Sequence, residues 1–442
     1  MEQFIVTGGK TLKGEIKVSG SKNMALKAFV AACLTDEEVV IENIPLISDL
    51  YVMADIIKDL GGKVKIEDHR VIIKVDKIKK TRVLLDKAVL VRTSFLFMAP
   101  LLSRVGKAEI PNPGGCRIGA RPIDRIIKGI EKMGTNAVYD SDDGYFYFRV
   151  KNKLRPIVYK FDKNTHTGTE TLMLSSVLVK GKTVLKNAAE EPEIDDLINL
   201  LNKMGASIKR VSKREIVING VKKLHGVKFA IPPDRNETVT LAVAAIITKG
   251  DVKIKDITTR GLDEFLKMLL KAGGGIEIQK NGIRFFYKNR LKPTNITTSF
   301  YPGFMTDWQG PWLILMTQTE GTSIIHETVY ENRFSYIQEL QKMGSKIELF
   351  NPKVKNPEKF YNFNYEDNRP EYKHAAKIIG PIKLHNAAIN ISDLRAGATL
   401  VLASLAARGK SIIFGVEHLD RGYEQFEKRL NLLGADIRRV KD

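Results

Sequence analysis

The order of apolar and polar positions repeats one pattern along this chain. A stretch with the apolar spacing of a helix ends at a glycine, and the residues after it alternate between apolar and polar, as in a half-buried strand. A glycine at the end of a helix takes the left-handed conformation that lets the chain turn into a strand. The six glycines at this place are Gly61, Gly134, Gly205, Gly273, Gly344 and Gly434, at successive spacings of 73, 71, 68, 71 and 90 residues. The pattern predicts six related structural units.

The front half of each unit also recurs. A strand with a polar end leads into an apolar helix and then a second strand, as in IKVSGSKNMALKAFVAACL followed by VVIENI. With a closing strand such as REIVING at 214–220, each unit is predicted to have the order βαβαββ. A period of about 70 residues is too long for helical or leucine-rich repeat arrays. Because each unit has enough helices and strands for a small layered core, the predicted fold class is α/β.

The last interval is about 20 residues longer than the others. The extra length is predicted at about 351–380, a stretch rich in Pro, Asn, Lys and aromatic residues with neither helical nor strand periodicity. We interpret it as a surface loop. Two roles stay open for it, a neutral insertion and an interaction element.

Length and charge indicate the number of domains and the kind of partner. A chain of 442 residues exceeds what one core usually holds, so two or more domains are expected. Lys and Arg outnumber Asp and Glu by 71 to 51, and the net charge of +20 favours small anionic partners. The cationic residues are not interleaved with aromatic platforms, which argues against a nucleic-acid interface. No apolar run reaches about 18 residues, so no membrane span is predicted.

The two cysteines have different surroundings. They are too few for a disulfide framework or a zinc site, so we expect a protein of the reducing cytoplasm. Cys33 lies in the apolar run FVAACL and is predicted to be in the core. Cys116 lies in PNPGGCRIGARPIDR at 111–125, where three arginines would stabilise a thiolate. The sequence leaves two interpretations of Cys116 open, a reactive thiol and an inert cysteine in a Gly-rich turn.

Polar residues cluster where the first strand of a unit meets its helix. A helix N-terminus offers free N–H groups and a positive dipole end, which favour anions. One such start is an ordinary helix cap, but six related starts predict a common binding face. The clusters are Ser21-Lys22-Asn23, Arg92-Thr93-Ser94, residues 163–169, Asp234-Arg235, Asp307 and Asp393-Leu394-Arg395.

Short segments in order along almost the whole chain resemble the enolpyruvyl transferases that act on UDP-N-acetylglucosamine. The most specific is PGGCRIGARPID at 113–124, which is similar to the mobile cysteine loop of that family. The supporting segments are SGSKN at 19–23, EEPEI at 190–194, PDRNET at 233–238, TDWQ at 306–309, ENRF at 331–334, DLRA at 393–396 and HLDRGYE at 418–424. The resemblance implies transfer of the enolpyruvyl group of phosphoenolpyruvate to the 3-hydroxyl of UDP-N-acetylglucosamine, with release of phosphate. This reaction is the first committed step of peptidoglycan synthesis, and it is expected to need no metal and no cofactor besides the two substrates.

The resemblance also implies a fold of two inside-out α/β barrel domains, each of three βαβαββ units. The first domain would be residues 22–231 with the Cys116 loop, and the second would be residues 1–21 and 232–442. Substrates would bind in a cleft between the domains, which closes on them. We expect a monomer or a weak homo-oligomer.

Residue roles follow from the same resemblance. Cys116 would be the general acid at C3 of phosphoenolpyruvate and could form a covalent adduct with it, and the epoxide fosfomycin inactivates the family through this thiol. Asp307 would contact the 3-hydroxyl as the candidate base, and Asp393 would assist proton transfer beside Lys22. The residues implied to hold phosphoenolpyruvate are Lys22, Asn23, Arg121, Arg395 and Arg421. Those implied for the nucleotide sugar are Asn23, Arg92, Arg121, Pro122, Ile123, Asp124, Arg125, Lys163, Asn164, Thr165, His166, Asp307 and Val329.

Simpler alternatives stay open. Asp307 and Asp393 could be helix caps, and His166 could contribute only its backbone. Arg421 could pair with Glu424 at the surface. The acceptor could be another nucleotide sugar or shikimate 3-phosphate, although the shikimate enzymes lack the cysteine loop. A nucleic-acid-binding protein would instead show binding with a steep salt dependence.

Overall fold

The structure, a computed structural model, describes residues 2–115 and 118–441. The chain forms two compact units. Unit I consists of residues 20–115 and 122–232, and unit II of the described residues within 1–19, 116–121 and 233–442. The sequence-based division at residues 22 and 232 lies within two residues of this one, and differs in that residues 118–121 group with unit II.

The secondary structure alternates between short strands and helices. The strands are β1 (Glu2–Thr7), β2 (Lys13–Lys17), β3 (Val39–Glu42), β4 (Lys63–Glu67), β5 (Arg70–Lys74), β6 (Lys107–Pro111), β7 (Thr135–Asp140), β8 (Tyr145–Val150), β9 (Val158–Lys160), β10 (Gly181–Lys186), β11 (Ser207–Ser212), β12 (Glu215–Gly220), β13 (Val227–Ala230), β14 (Asp251–Lys255), β15 (Gly275–Gln279), β16 (Gly282–Phe286), β17 (Ile296–Thr297), β18 (Gly321–His326), β19 (Ile347–Phe350), β20 (Ala375–Gly380), β21 (Ala388–Asn390), β22 (Lys410–Phe414) and β23 (Asp436–Lys441). The α-helices are α1 (Lys22–Ala32), α2 (Ser48–Asp59), α3 (Leu85–Ala88), α4 (Met98–Val105), α5 (Asp124–Lys132), α6 (His166–Ser176), α7 (Pro192–Lys203), α8 (Arg235–Ile247), α9 (Asp263–Lys271), α10 (Gln309–Thr317), α11 (Ile337–Lys342), α12 (Pro357–Phe360), α13 (Leu394–Ala406), α14 (Glu417–Asp420) and α15 (Phe426–Leu432). Short 3-10 helices span Arg92–Phe97, Thr306–Trp308 and Tyr365–Asp367.

The strands of the described residues form six sheets, three in each unit. Five sheets share one arrangement, in which a first strand pairs in parallel with a second and two antiparallel strands follow. In the sixth, β6-β8-β7, the parallel first strand is reduced to a bridge between Arg82 and Glu109. The other sheets are β13-β3-β5-β4 and β9-β10-β12-β11 in unit I, and β2-β14-β16-β15, β17-β18-β20-β19 and β21-β22-β1-β23 in unit II.

Two first strands do not join the sheet that the repeat pattern indicates. The strand β2 leads into α1, yet it pairs in parallel with β14 of unit II. Conversely, β13 leads into α8 and pairs in parallel with β3 of unit I. Grouping β2 with β3 from the order along the chain is therefore wrong. The alternation within a strand shows which side chains are buried but not which parallel partner the strand takes.

The glycines that define the repeat have the predicted conformation. Each follows a helix and has a positive φ, between 84° and 103°. An L-residue with a Cβ rarely adopts this conformation, so glycine is favoured where each helix turns into its strand. The prediction of six glycine-terminated helices is confirmed.

The longest apolar helices form the cores of the units. Every residue of α8 is buried, and in α1 only Asn23 is not buried. In unit II, α8, α10 and α13 contact one another, and in unit I, α1 contacts α7 and α4 contacts α6. Helices that are apolar on all sides are stable only when packed among other elements. Within the described residues, no helix has both the length and the hydropathy needed to cross a membrane.

The longer last interval corresponds to a connection between β19 and β20 that spans residues 351–374. The predicted limits, about 351–380, are wrong at their C-terminal end. Residues 375–380 form β20, which pairs with β18 and β19 and buries Ala376 and Ile378. The run HAAKIIG places its apolar residues in adjacent pairs instead of alternating them with polar ones, so the sequence does not show the strand period here. We refer to residues 351–374 as the excursion.

Candidate functional site

The first group of predicted residues in unit I lies at the start of α1. Ser21 caps this helix, because its hydroxyl accepts a hydrogen bond from the backbone N–H of Met24 at 3.4 Å. Lys22 is the first helical residue and is buried, with Nζ 2.7 Å from Oδ2 of Asp49. A buried ammonium requires a compensating charge, and Asp49 supplies it. Asn23 is half-buried beside Lys22.

A second group lies at the start of α6. The hydroxyl of Thr165 accepts a hydrogen bond from the backbone N–H of Gly168 at 3.1 Å and so caps the helix. His166 is the first helical residue, and its Nε2 lies 3.4 Å from Oε1 of Glu170. The imidazole therefore faces a carboxylate one turn along its own helix. Lys163, before the cap, is half-buried, so cationic and N–H groups occur together here, as anion binding requires.

Glu170 joins the two helices. Its Oε1 lies 3.1 Å from Nζ of Lys27 in α1, and both side chains are buried. Burial raises the pKa of Glu170 to about 7, although Lys27 lowers it, and the carboxylates of Glu191 and Glu193 raise it further. Sequence reasoning gave this pair no role, although Lys27 is the one charged residue in the otherwise apolar run MALKAFVAACL.

The other predicted residues of unit I lie on separate elements. Arg125, in the first turn of α5, donates hydrogen bonds to both carboxylate oxygens of Asp162, at 2.7 and 3.0 Å. Cys116 lies outside the described residues. Arg92 and Asp124 are half-buried, Ile123 and Asn164 are buried, and Pro122 is exposed.

Asp307 is the centre of the predicted group in unit II. It lies in the 3-10 helix Thr306–Trp308, whose cap is Met305 without a side-chain bond. Its carboxylate accepts hydrogen bonds from Arg395 at 3.2 Å, Arg333 at 3.3 Å and Asn236 at 3.4 Å. The alternative that Asp307 is only a helix cap is therefore wrong.

The arginines decide the protonation of Asp307. Burial raises the pKa of its carboxyl group, but Arg395 and then Arg333 lower it more strongly, to about 2. The side chain is 26% exposed, so it can accept a hydrogen bond from a bound hydroxyl. A carboxylate with so low a pKa is a weak base, because proton transfer to it is unfavourable near neutral pH.

Asp393 and Arg395 begin α13. Oδ1 of Asp393 accepts the backbone N–H groups of Arg395 at 3.0 Å and Ala396 at 3.1 Å, so Asp393 is a helix cap, as the simpler alternative proposed. The same oxygen lies 3.7 Å from Nη1 of Arg333. Nη1 of Arg395 donates to the hydroxyl of Tyr423 at 3.1 Å, which fixes the guanidinium that contacts Asp307. Arg421 is half-buried at the end of α14.

Val329 lies in a loop that the carboxylate of Glu327 organises. Oε1 of Glu327 accepts the backbone N–H groups of Val329 at 2.8 Å and Tyr330 at 3.2 Å. Its Oε2 accepts the hydroxyl of Thr306 at 2.9 Å, next to Asp307. One buried carboxylate thus connects the Val329 loop to the Asp307 helix.

Residues 118–121 contact the same part of unit II. The backbone N–H of Ala120 donates to the carboxylate of the buried Glu331. Gly119 has a φ of 153°, which residues with a Cβ rarely adopt, and a Cβ there would displace the carboxylate of Glu331. The guanidinium of Arg121 lies 5.7 Å from the ring of Tyr330, within the range of a cation–π contact.

Sequence reasoning missed the residues that hold these groups in place. Arg333 and Asn236 lie in the segments ENRF and PDRNET, but nothing local shows that both reach Asp307. Glu327 carries no signal beyond its proximity to Val329. In the part of the chain that the structure describes, no three or more His, Cys, Asp or Glu side chains are arranged for a metal ion.

Comparison with known proteins gives matches over the whole chain. The profile of the family described as EPSP synthase (3-phosphoshikimate 1-carboxyvinyltransferase) matches residues 6–430. A UDP-N-acetylglucosamine 1-carboxyvinyltransferase from Acidobacterium capsulatum is 40% identical over 445 aligned residues, covering 100% of this chain and 96% of that protein. One of the same name from Endomicrobium trichonymphae is 41% identical over 438 residues, covering 99% of each chain.

Solved structures with the same fold are more distant in sequence. The enolpyruvyl transferase NikO from Streptomyces tendae matches with a TM-score of 0.86 at 22% identity, covering 100% of this chain and 99% of NikO. An EPSP synthase from Acinetobacter baumannii matches with a TM-score of 0.73 at 17% identity over the full length of both chains. At these identities the likeness shows the fold alone, which is that of enolpyruvyl transferases.

Proposed function

Because the chain belongs to the EPSP synthase family, we propose that it is an enolpyruvyl transferase whose acceptor is UDP-N-acetylglucosamine. The reaction would move the enolpyruvyl group of phosphoenolpyruvate to the 3-hydroxyl of that nucleotide sugar and release phosphate. The observation that carries the acceptor is about 40% identity, over the full length, to relatives named for this activity.

The chemistry needs a proton donor at C3, an acceptor for the hydroxyl proton, and cations around the donor's phosphate and carboxylate. The hydroxyl oxygen bonds to C2 while C3 gains a proton, and the resulting tetrahedral intermediate then loses phosphate and a C3 proton. We assign the proton at C3 to Cys116. The cations assigned to phosphoenolpyruvate are Lys22, Arg121, Arg395 and Arg421.

Asp307 is assigned to the 3-hydroxyl of the acceptor, and the geometry supports a staged role. With Arg395 and Arg333 at hydrogen-bond distance and a pKa of about 2, Asp307 is first a hydrogen-bond acceptor that orients the hydroxyl. An anionic donor that draws Arg395 away would raise the pKa of Asp307 and make it a stronger base. Asp393 is assigned to positioning, because its carboxylate caps α13 and thereby fixes Arg395.

Finer features are proposed with the activity. We propose that the six sheets and buried helices are two inside-out barrels, with domains at 22–231 and at 1–21 with 232–442. An acceptor that is a nucleotide sugar fits a cytoplasmic enzyme of the first committed step of peptidoglycan synthesis. The net charge of +20 fits two anionic substrates.

The test of the activity is phosphate release with a panel of acceptors in the presence of EDTA. We expect release only when phosphoenolpyruvate and UDP-N-acetylglucosamine are both present. Other UDP-sugars and shikimate 3-phosphate serve as competing acceptors. Turnover with shikimate 3-phosphate, or with another UDP-sugar in preference, would overturn the assignment.

The role of Asp307 is tested by Asp307→Asn. This variant keeps the shape and removes the charge, so we expect kcat to fall at least roughly 100-fold, as for general base catalysts. Asp142→Asn, on an exposed turn between β7 and β8, is the matched control and should retain full activity. Wild-type turnover in Asp307→Asn would remove Asp307 from the mechanism.

A further inference from the structure

The excursion, residues 351–374, has its own small aromatic core. Tyr361, Phe363 and His374 are each at most 7% exposed. The ring of Tyr361 lies 4.9 Å from those of both Phe363 and His374. Nε2 of His374 lies 3.0 Å from Oδ1 of Asn368, and burial lowers the pKa of this histidine to about 4, so it is neutral. The excursion therefore has a packed aromatic core, which a polar surface loop would not have.

The excursion packs on the end of β18. The ring of Phe360 stacks on His326, the last residue of that strand, with centroids 5.3 Å apart. The hydroxyl of Tyr361 lies 3.1 Å from Nε2 of the same histidine. Burial lowers the pKa of His326, which favours the neutral ring that accepts such stacking.

Two backbone hydrogen bonds then connect the excursion to the residues after β18. The N–H of Asn362 donates to the carbonyl of Thr328 at 2.8 Å, and the carbonyl of His374 accepts the N–H of Glu327 at 2.7 Å. The excursion therefore holds the two peptide groups that flank the Glu327–Thr328 peptide bond, one through the N–H of Glu327 and the other through the carbonyl of Thr328. The side chain of Glu327, in turn, holds the N–H of Val329 and the hydroxyl of Thr306.

We propose that the excursion is a positioning element for the acceptor, which fixes Glu327 and Thr328 and through them Val329 and Asp307. The inference rests on the proposed function, which assigns Val329 and Asp307 to the nucleotide sugar. Hydrogen bonds connect the excursion to Glu327, and Glu327 to the backbone of Val329 and to the hydroxyl of Thr306, the neighbour of Asp307. Of the two roles that the sequence left open for this stretch, the neutral insertion is the one that these contacts disfavour.

The register of the sheet permits a clean excision. Phe350 of β19 and Ala375 of β20 are directly paired, so residues 351–374 can be replaced by Asn-Gly, which closes two-residue hairpins. We expect KM for UDP-N-acetylglucosamine to rise roughly 10-fold or more, while KM for phosphoenolpyruvate changes less than about twofold. Equal changes in both constants, or none, would overturn the proposal.

Point variants cover the case in which the excised chain does not fold. Tyr361→Ala removes the central ring and should give the same selective rise in KM for the nucleotide sugar. Tyr361→Phe keeps the ring and loses only the hydroxyl, so it should remain within about threefold of wild type. Glu366→Gln, an exposed position on the same excursion, is the matched control and should change neither constant. Wild-type KM values in Tyr361→Ala would overturn the proposal.

A second measurement separates this inference from the proposed function. Hydrogen exchange of the peptide that contains Val329 and Tyr330 should be at least roughly 10-fold faster in Tyr361→Ala than in Glu366→Gln, without any substrate. If exchange is faster in Tyr361→Ala but the wild-type enzyme does not use UDP-N-acetylglucosamine, the excursion is still a positioning element and only the proposed acceptor is wrong. Unchanged exchange at these amides would overturn the positioning element whatever the acceptor.

Discussion

The pair of Lys27 and Glu170 gives a sharp test of the electrostatics in unit I. Lys27→Met keeps the length of the side chain and removes its charge. The two charges lie 3.1 Å apart, and their attraction is about 5 kcal/mol at an effective dielectric constant of about 20. Removing one partner of a buried pair typically costs about 3–5 kcal/mol, unless the remaining group becomes neutral. Glu170 can become neutral by taking up a proton.

Proton uptake by Glu170 makes the destabilisation by Lys27→Met depend on pH. The pKa of Glu170 in the folded protein is raised above its ordinary value to about 7, so its contribution to stability is present at low pH and is lost as pH rises through about 7. Without Lys27, which lowers this pKa, the folded variant stays protonated to higher pH. Each pH unit in which the wild type ionises and the variant does not costs the variant roughly 1.4 kcal/mol. The free energy of unfolding of Lys27→Met should therefore be lower than that of the wild type by less than about 1 kcal/mol at pH 6 and by roughly 3 kcal/mol at pH 9.

Thermal unfolding by calorimetry at the two pH values measures this difference. For a unit of about 200 residues, roughly 3 kcal/mol lowers Tm by about 6–12 °C. Fluorescence would miss it, because both tryptophans, Trp308 and Trp312, lie in unit II. Hydrogen exchange in α1 and α6 is therefore the second probe.

A matched control is Lys58→Met. Lys58 forms a 3.0 Å pair with Asp55 in which both side chains are about half exposed, and such pairs contribute less than about 1 kcal/mol. The double variant Lys27→Met/Glu170→Gln should recover most of the lost stability at pH 9. If Lys27→Met is no less stable than Lys58→Met at pH 9, the attraction between Lys27 and Glu170 is far weaker than their 3.1 Å separation implies.

Three further outcomes are expected. Fosfomycin followed by peptide mapping should label Cys116 and leave Cys33 unmodified, because Cys33 is buried and burial raises the pKa of its thiol to about 12; an adduct on Cys33 would contradict this. Gly434→Ala should destabilise unit II by about 1 kcal/mol in calorimetry, since φ is 98° there, while a Cβ would make only an ordinary 3.5 Å contact with the carbonyl of Thr11; no loss would refute a strained cap. Arg395→Gln should raise the pKa of Asp307 from about 2 towards its ordinary value of 3.8. On acidification, this variant should therefore lose the stability that ionised Asp307 provides at a higher pH than the wild type does. An unchanged titration of the Asp307 carboxyl group by NMR would refute the pairing with Arg395.

Features that depend on neighbours in sequence could be predicted, and features that depend on pairing across the chain could not. The glycine caps and the apolar helices follow from local rules, and Gly61 and Gly434 have the same conformation although they are far apart in sequence. Local alternation did not give the parallel partner of β2, because β3 and β14 have similar apolar alternation, and only the family resemblance grouped residues 1–21 with 232–442. In the same way, ENRF and TDWQ indicated a site, but the contact of Arg333 with Asp307 requires the folded chain.

The charges around Asp307 connect its two proposed roles, which are hydrogen-bond acceptor and base. Without substrate, two carboxylates and two guanidiniums are in contact, since Asp307 and Asp393 face Arg333, and Asp307 also faces Arg395. An arriving anion therefore finds Arg395 already paired and must compete with Asp307 for it. Linkage is reciprocal, so the factor by which the bound donor raises the affinity of Asp307 for a proton is also the factor by which protonation of Asp307 raises the affinity for the donor. A base activated in this way would become strong only after the donor is bound, which would restrict proton removal from the hydroxyl to the complete complex.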